Sequence, residues 1–171
     1  YKKGETIMNL AILGAGRIAV TMANTINGMD DVNLYAVASR SLERAESFAK
    51  EHHVEKAYGN YEEMLCDEKV DLVYVATPHS YHCEHIKLCV DFGKPVLCEK
   101  AFTVTAKEAK EALAYAKEKG VLVSEAMWVR YMPMTKTLKN ILASGRIGEV
   151  VGLTANLGYA VMGKEIGRAH V

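Results

Sequence analysis

An unbroken apolar run, Ile7 to Leu13, ends in Gly14-Ala15-Gly16-Arg17-Ile18-Ala19, and an apolar-faced helix leaves that turn. A strand that feeds a G-x-G-x-x-A turn opening a helix is the phosphate-binding corner of a βαβ unit, in which each small residue has a steric task. Gly14 permits the tight turn, Gly16 lets a pyrophosphate approach the backbone, and Ala19 lets the helix pack close to the strand. The anion then sits on free N–H groups at the helix N-terminus, beside Arg17 and Ile18, where the helix dipole favours negative charge. The alternative is an ordinary glycine-rich turn, which the matching strand and helix argue against.

Further apolar runs at Leu34–Ala38, Leu72–Ala76, Val96–Cys98 and Val121–Ser124 are short and rich in Val and Leu, as strands covered on both faces are. Helical stretches separate them. Ser41 caps a helix through His52 with Leu42, Ala45, Phe48 and Ala49 on one apolar face. Asn60-Tyr61-Glu62-Glu63 and Thr105-Ala106-Lys107-Glu108 resemble capping boxes, and the second opens a helix that ends before Gly120. Pro133 suits the first turn of a helix through Ala143, ended by Gly145. The order β-α-β-α-β predicts an α/β fold, a Rossmann-type doubly wound parallel sheet with right-handed crossovers.

The second strand bears on which dinucleotide fits. An NAD site places a carboxylate about twenty residues after the glycines, to accept from the ribose 2′-OH. Here that strand ends in Ser39-Arg40. Ser39 can donate to a 2′-phosphate, and Arg40 can pair with it or stack on adenine, so the residues favour NADP with NAD as the alternative. The competing reading of Arg40 is a solvated residue at a helix start.

Lys+Arg and Asp+Glu balance at 21 each in 171 residues, without a long run of one sign, so neither nucleic acid nor an anionic membrane is an implied partner. The sequence shows no spanning apolar stretch and no charged-then-apolar leader, and a cytoplasmic location is expected. Cys66, Cys83, Cys89 and Cys98 lack C-x-x-C spacing and read as free thiols. His79, His82 and His85 with Cys83 complete no metal-ligand pattern, and a polar cluster starting a helix is the simpler reading.

Four ordered motifs between Met8 and Gly163 resemble the N-terminal part of the glucose-fructose oxidoreductase / inositol 2-dehydrogenase family, in the branch containing dimeric dihydrodiol dehydrogenases. They are Gly14 to Ala19, Ala76-Thr77-Pro78-His79-Ser80-Tyr81-His82, Cys98-Glu99-Lys100-Ala101, and Glu125 to Pro133. The resemblance implies that Thr77, His79 and His82 lie near the cofactor's ribose and nicotinamide end, with His79 standing where many relatives have Asn. It implies that Lys100 hydrogen-bonds the reacting oxygen while Glu99 positions the cofactor or the lysine, and here Ala101 replaces the usual Pro. Trp128 and Arg130 are implied at the nicotinamide half or the substrate mouth, although a lone Trp beside Met127 and Val129 equally suits a core.

Chemistry supports the lysine. Hydride transfer at a carbinol carbon needs a proton moved on or off the oxygen, and an amine whose pKa is lowered by partial burial beside a positive ring can do so near neutrality. The function implied is an NADP-dependent oxidoreductase acting on a secondary alcohol or ketone of a sugar, cyclic polyol or dihydrodiol. A non-catalytic dinucleotide sensor would keep the glycines without requiring Glu99-Lys100.

The ends are read separately. Codons for Lys3-Gly4-Glu5 can spell a purine-rich ribosome-binding site upstream of Met8, so residues 1–7 are expected to be non-native leader. Residues 8–147 are expected to form the dinucleotide-binding domain, and 148–165 to begin a truncated substrate and dimerisation domain with a strand at Val150–Tyr159. Ile166-Gly167-Arg168-Ala169-His170-Val171 reads as a translated sequencing adapter. The resemblance implies a homodimer or higher homo-oligomer for the full-length protein, and little activity for this length of chain alone.

Overall fold

Alternate residues of the first strand face opposite ways, and both ways are buried. In the computed structural model, which describes residues 7–156 and 158, β1 (Met8–Leu13) turns Leu10 and Ile12 into one core and Ala11 and Leu13 into another. A strand buried on both faces needs helices on both, and the chain supplies them.

The elements run β1, α1 (Arg17–Ile26), β2 (Val32–Ala38), α2 (Leu42–His52), β3 (Lys56–Tyr58), α3 (Tyr61–Leu65), β4 (Leu72–Val75), α4 (His82–Asp91), β5 (Val96–Cys98), α5 (Ala106–Lys119), β6 (Val123–Glu125) and α6 (Pro133–Ala143). The six strands form one parallel sheet in the order β3-β2-β1-β4-β5-β6. Helices α1 and α2 cover one face through Ala19, Ala23, Ile26, Ala45 and Phe48, and the opposite core holds Met64, Ile86, Cys89, Ala112 and Ala116 of α3, α4 and α5. This is the doubly wound Rossmann-type fold expected from the sequence.

The caps follow the residues that announce them. Ser41 Oγ accepts from the Arg44 N–H (3.4 Å), Asn60 Oδ1 from the Glu62 and Glu63 N–H groups (2.7 and 3.3 Å), and Thr105 Oγ1 from the Glu108 N–H (3.2 Å). The second half of the expected box is displaced by one residue, for Glu108 Oε2 accepts from Val104 N–H rather than from Thr105. Gly120 ends α5 at φ 69°, in the left-handed region where a side chain is costly. Leu42, expected on the buried face of α2, is instead exposed, whereas Ala45 and Phe48 are buried.

Strand β3 is absent from the sequence-based expectation, since three residues are too few to show a period. It is held from outside itself. Asp67 Oδ2 accepts from Tyr35 OH (2.8 Å), Lys56 Nζ (2.7 Å) and Tyr58 OH (2.7 Å), and Oδ1 accepts from Lys69 N–H (3.0 Å). Burial works to raise the Asp67 pKa, but Lys56, Tyr58, the Lys69 amide and Tyr35 together hold it well below the usual carboxylate range. Burial, followed by the bond to Asp67, pushes the Tyr58 phenol up to about 12.

The chain divides into two compact units, the first ending at Ala126 and the second beginning at Met127, so that α6 belongs to the second. Of the strand expected at 150–159, residues 150–156 and 158 form none, and the remaining positions lie outside the described residues. A strand needs a pairing partner, and the second unit has none among its described residues. The expected leader, except Ile7, and the expected tail at 166–171 also lie outside the described residues. Among the described residues no helix is long and apolar enough to cross a membrane.

Candidate dinucleotide site

Ligands of open parallel sheets bind beyond the carboxyl ends of the strands where the winding reverses, and here that point lies between β1 and β4. A cavity of about 710 Å³ opens there, lined by Gly14, Gly16, Ser39, Arg40, Thr77 and neighbouring residues. Five candidates from three separate loops thus come to one place.

Gly14 has φ 105° and donates its N–H to Ala38 O (2.9 Å). A Cβ there would stand 2.9 Å from Thr77 Cγ2 and 3.2 Å from the Ala76 carbonyl group, so the turn tolerates only glycine. Gly16 differs. Its φ is −100°, and a Cβ would meet nothing of the protein nearer than Ala76 O at 3.8 Å. The space a methyl would occupy is the approach to the first turn of α1, where Gly16 is the N-cap and no side chain caps the helix. Arg17 and Ile18 begin α1 with exposed side chains and do not line the cavity, whereas Gly14, Ala15 and Gly16 do.

Ser39 is buried and donates its N–H to Tyr58 O (3.1 Å), which ties the end of β2 to the Asp67-anchored β3. Arg40 and Arg44 are exposed and line the same cavity, as do Glu62 and Glu84. Arg44 is not among the residues singled out in the sequence. Its signal is a cation in the first turn of a helix, where the dipole disfavours one unless an anion is nearby.

Tyr61, Tyr81 and His85 also line the cavity and were not expected to. The His85 ring stacks on Tyr81 (centroids 5.7 Å apart) and meets Tyr61 edge-on (5.1 Å), while Nδ1 and Thr77 Oγ1 are hydrogen-bonded at 2.8 Å. Burial lowers the His85 pKa, Glu84 opposes it, and His82 and Arg40 add to the lowering.

A second group, around Lys100, adjoins the cavity through Thr77. The Tyr74 hydroxyl, 1% exposed on β4, donates to Glu99 Oε1, and Glu99 Oε2 accepts the backbone N–H of Lys100 (3.0 Å). Burial, then Glu99, raises the Tyr74 pKa, which keeps the phenol a donor. The Lys100–Ala101 peptide is cis, and Lys100 is exposed rather than partly buried as expected. Any desolvation of its amine must come from what binds over it.

The three histidines occupy different stations. His79 Nε2 contacts Lys100 O (3.0 Å). His82, expected at the cofactor's ribose and nicotinamide end, is fully buried, with Nε2 at Thr77 O (2.8 Å) and Nδ1 at Ala101 O (2.9 Å). A ring enclosed in this way meets backbone, not ligand. Trp128 and Arg130 lie in the second unit, where Trp128 is 60% exposed.

Residues 8–127 match the profile of the oxidoreductase family with an NAD-binding Rossmann fold. Trans-1,2-dihydrobenzene-1,2-diol dehydrogenase of Mus musculus is 39% identical over 150 residues, 86% of this chain and 45% of that protein. D-xylose 1-dehydrogenase (NADP(+)) of Hypocrea jecorina is 42% identical over 158 residues, 85% of this chain and 40% of that protein. The chain therefore spans somewhat less than half the length of these relatives. Among solved structures, an NAD binding oxidoreductase from Klebsiella pneumoniae superposes with TM-score 0.78 at 29% identity, covering 84% of this chain and 40% of that one. The 3-ketoreductase KijD10 of Actinomadura kijaniata, in complex with NADP, gives 0.75 at 29%, covering 84% and 46%.

Proposed function

Because this chain belongs to the oxidoreductase family with an NAD-binding Rossmann fold, we propose that it is the cofactor-binding part of an NADP-dependent oxidoreductase. Its substrate class is a secondary alcohol or ketone of a sugar, cyclic polyol or dihydrodiol. The dihydrodiol and xylose dehydrogenases among its relatives support that class.

One observation carries the cofactor reading. The uncapped turn at Gly16 opens into the same cavity as Ser39, Arg40 and Arg44, so a pyrophosphate site and a cluster suited to a 2′-phosphate share one space. The residues present fit a dinucleotide phosphate: backbone N–H groups for the pyrophosphate, a hydroxyl and two guanidinium groups for the 2′-phosphate, and Tyr81 and His85 as flat surfaces near them. When bound, the nicotinamide accepts or supplies the hydride. The chain's own residues do the rest. Gly14 and Gly16 bring backbone to the phosphates, Glu99 orients the lysine segment, and Lys100 Nζ passes a proton to or from the substrate oxygen. The full-length protein is read as a cytoplasmic homo-oligomer whose further domain selects the substrate.

A fluorescence titration tests the cofactor: NADPH should bind at least tenfold tighter than NADH, and a preference for NADH would refute the argument from Ser39 and Arg40. In the protein extended to the length of its relatives, Lys100→Met should abolish turnover while NADPH still binds. Retained turnover would remove Lys100 from the mechanism, whereas NADPH binding without turnover in the unmutated protein would favour the non-catalytic sensor.

A further inference from the structure

The backbone around Lys100 is held by its neighbour Glu99 and by side chains from other segments. His82 grips it hardest: a ring with 0% exposure reaches Ala101 O (2.9 Å) and Phe102 O (3.2 Å) with Nδ1, and Thr77 O (2.8 Å) with Nε2. His79 adds Nε2 against Lys100 O (3.0 Å), and its ring meets that of His82 edge-on with centroids 5.3 Å apart. On the N–H side, Glu99 Oε2 accepts from Lys100 (3.0 Å) and Glu125 Oε1 from Phe102 (2.9 Å).

We propose that His82 is a positioning residue for Lys100, transmitting the placement of the Thr77 loop to the Lys100–Phe102 backbone, with His79 as a second, outer clamp. Carbonyl oxygens only accept, so each ring nitrogen can fix its carbonyl only as an N–H donor: the doubly protonated ring holds both sides at once, and a neutral ring holds one side at a time. Thr77 is the residue that a Cβ on Gly14 would strike, so the turn that holds the phosphates and the segment that carries the amine are joined through one imidazole. His79 restrains the same segment one residue earlier, at Lys100 O. This inference rests on Lys100 being the proton-handling group.

The test separates the two sides of the ring. The amide nitrogen of Asn stands where Nδ1 does and that of Gln where Nε2 does, so His82→Asn keeps the contact to Ala101 and Phe102 while His82→Gln keeps the contact to Thr77. In this chain, amide hydrogen exchange at Lys100 and Phe102 should stay near wild type in the Asn variant and accelerate at least about tenfold in the Gln variant, with NADPH affinity of the Gln variant within twofold of wild type. In the protein extended to the length of its relatives, the Gln variant should lose kcat by up to about 10²-fold at unchanged KM for NADPH, the effect of a small misplacement of a reacting group. A ring that merely fills the core would make the two variants alike, and equal exchange in both overturns the proposal. If the Gln variant does not fold, His79→Ala is read instead: faster exchange at Lys100 and Phe102 supports the clamp, and unchanged exchange refutes it. Retained turnover in Lys100→Met would instead overturn the catalytic reading while leaving the exchange result in place, so the two failures are distinguishable.

Discussion

Gly14 and Gly16 are two residues apart in one turn, yet the structure gives them opposite sensitivities. In Gly14→Ala the new methyl lies 2.9 Å from Thr77 Cγ2 and 3.2 Å from the Ala76 backbone, at φ 105°. The strained dihedral costs about 1–3 kcal/mol. Overpacking against Thr77, which is buried and tied to His85, adds about 1–3 kcal/mol. A loss of roughly 2–6 kcal/mol corresponds to a fall in Tm of about 5–20 °C for a chain of this size. In Gly16→Ala the nearest atom is Ala76 O at 3.8 Å and φ is −100°, so folding loses only the preference for Gly over Ala at an N-cap, about 0.5–1 kcal/mol. Its methyl instead occupies the path of the pyrophosphate, and NADPH affinity should fall at least about tenfold, or 1.4 kcal/mol. Differential scanning fluorimetry and an NADPH fluorescence titration on both variants suffice. The reasoning fails if Gly14→Ala melts within about 2 °C of wild type, or if Gly16→Ala binds NADPH as tightly as the parent.

Other consequences can be checked as directly. Arg40→Ala and Arg44→Ala should each weaken NADPH by about 10–100-fold, the range for a charge-assisted hydrogen bond, and leave NADH nearly unchanged; equal losses for both dinucleotides would place these side chains elsewhere than on a 2′-phosphate. Asp67→Asn should lower Tm and flatten the acid limb of the stability profile. The folded Asp67 pKa is depressed, so its contribution is present above the unfolded value of about 3.9 and is lost as pH falls below it toward the folded value; parallel acid limbs in the two proteins would refute the assignment. At the alkaline end the raised Tyr58 pKa makes its share complete below the unfolded value of 10.0 and lost as pH rises toward about 12, which a pH series of denaturant midpoints on Tyr58→Phe would isolate.

What could be read from the sequence was local. The run into Gly14, the cap at Ser41 and the αL stop at Gly120 are short-range devices whose residues declare them, and the structure forms each one. Strand β3 was invisible because Lys56-Ala57-Tyr58 owes its conformation to Asp67 and to pairing with Ala36–Ala38, both distant in sequence. Arg44, Tyr61, Tyr81 and His85 reach the cavity for the same reason: packing, not periodicity, decides which side of a helix start looks into a cleft. His82 shows the converse. Its motif implied a place at the cofactor's ribose and nicotinamide end, but spacing does not reveal that a ring is turned inward to backbone.

The cavity's walls come from the ends of β1, β2, β3 and β4, so no fragment that lacks one of these four strands can assemble it. A molecule that fits it therefore binds only where these strands are paired, and at one hundred times its Kd adds about 2.7 kcal/mol to their folding, a rise of roughly 5–11 °C. The parallel edge of the sheet makes the melting curve of this domain a ligand detector in its own right, able to rank dinucleotides before any substrate is in hand.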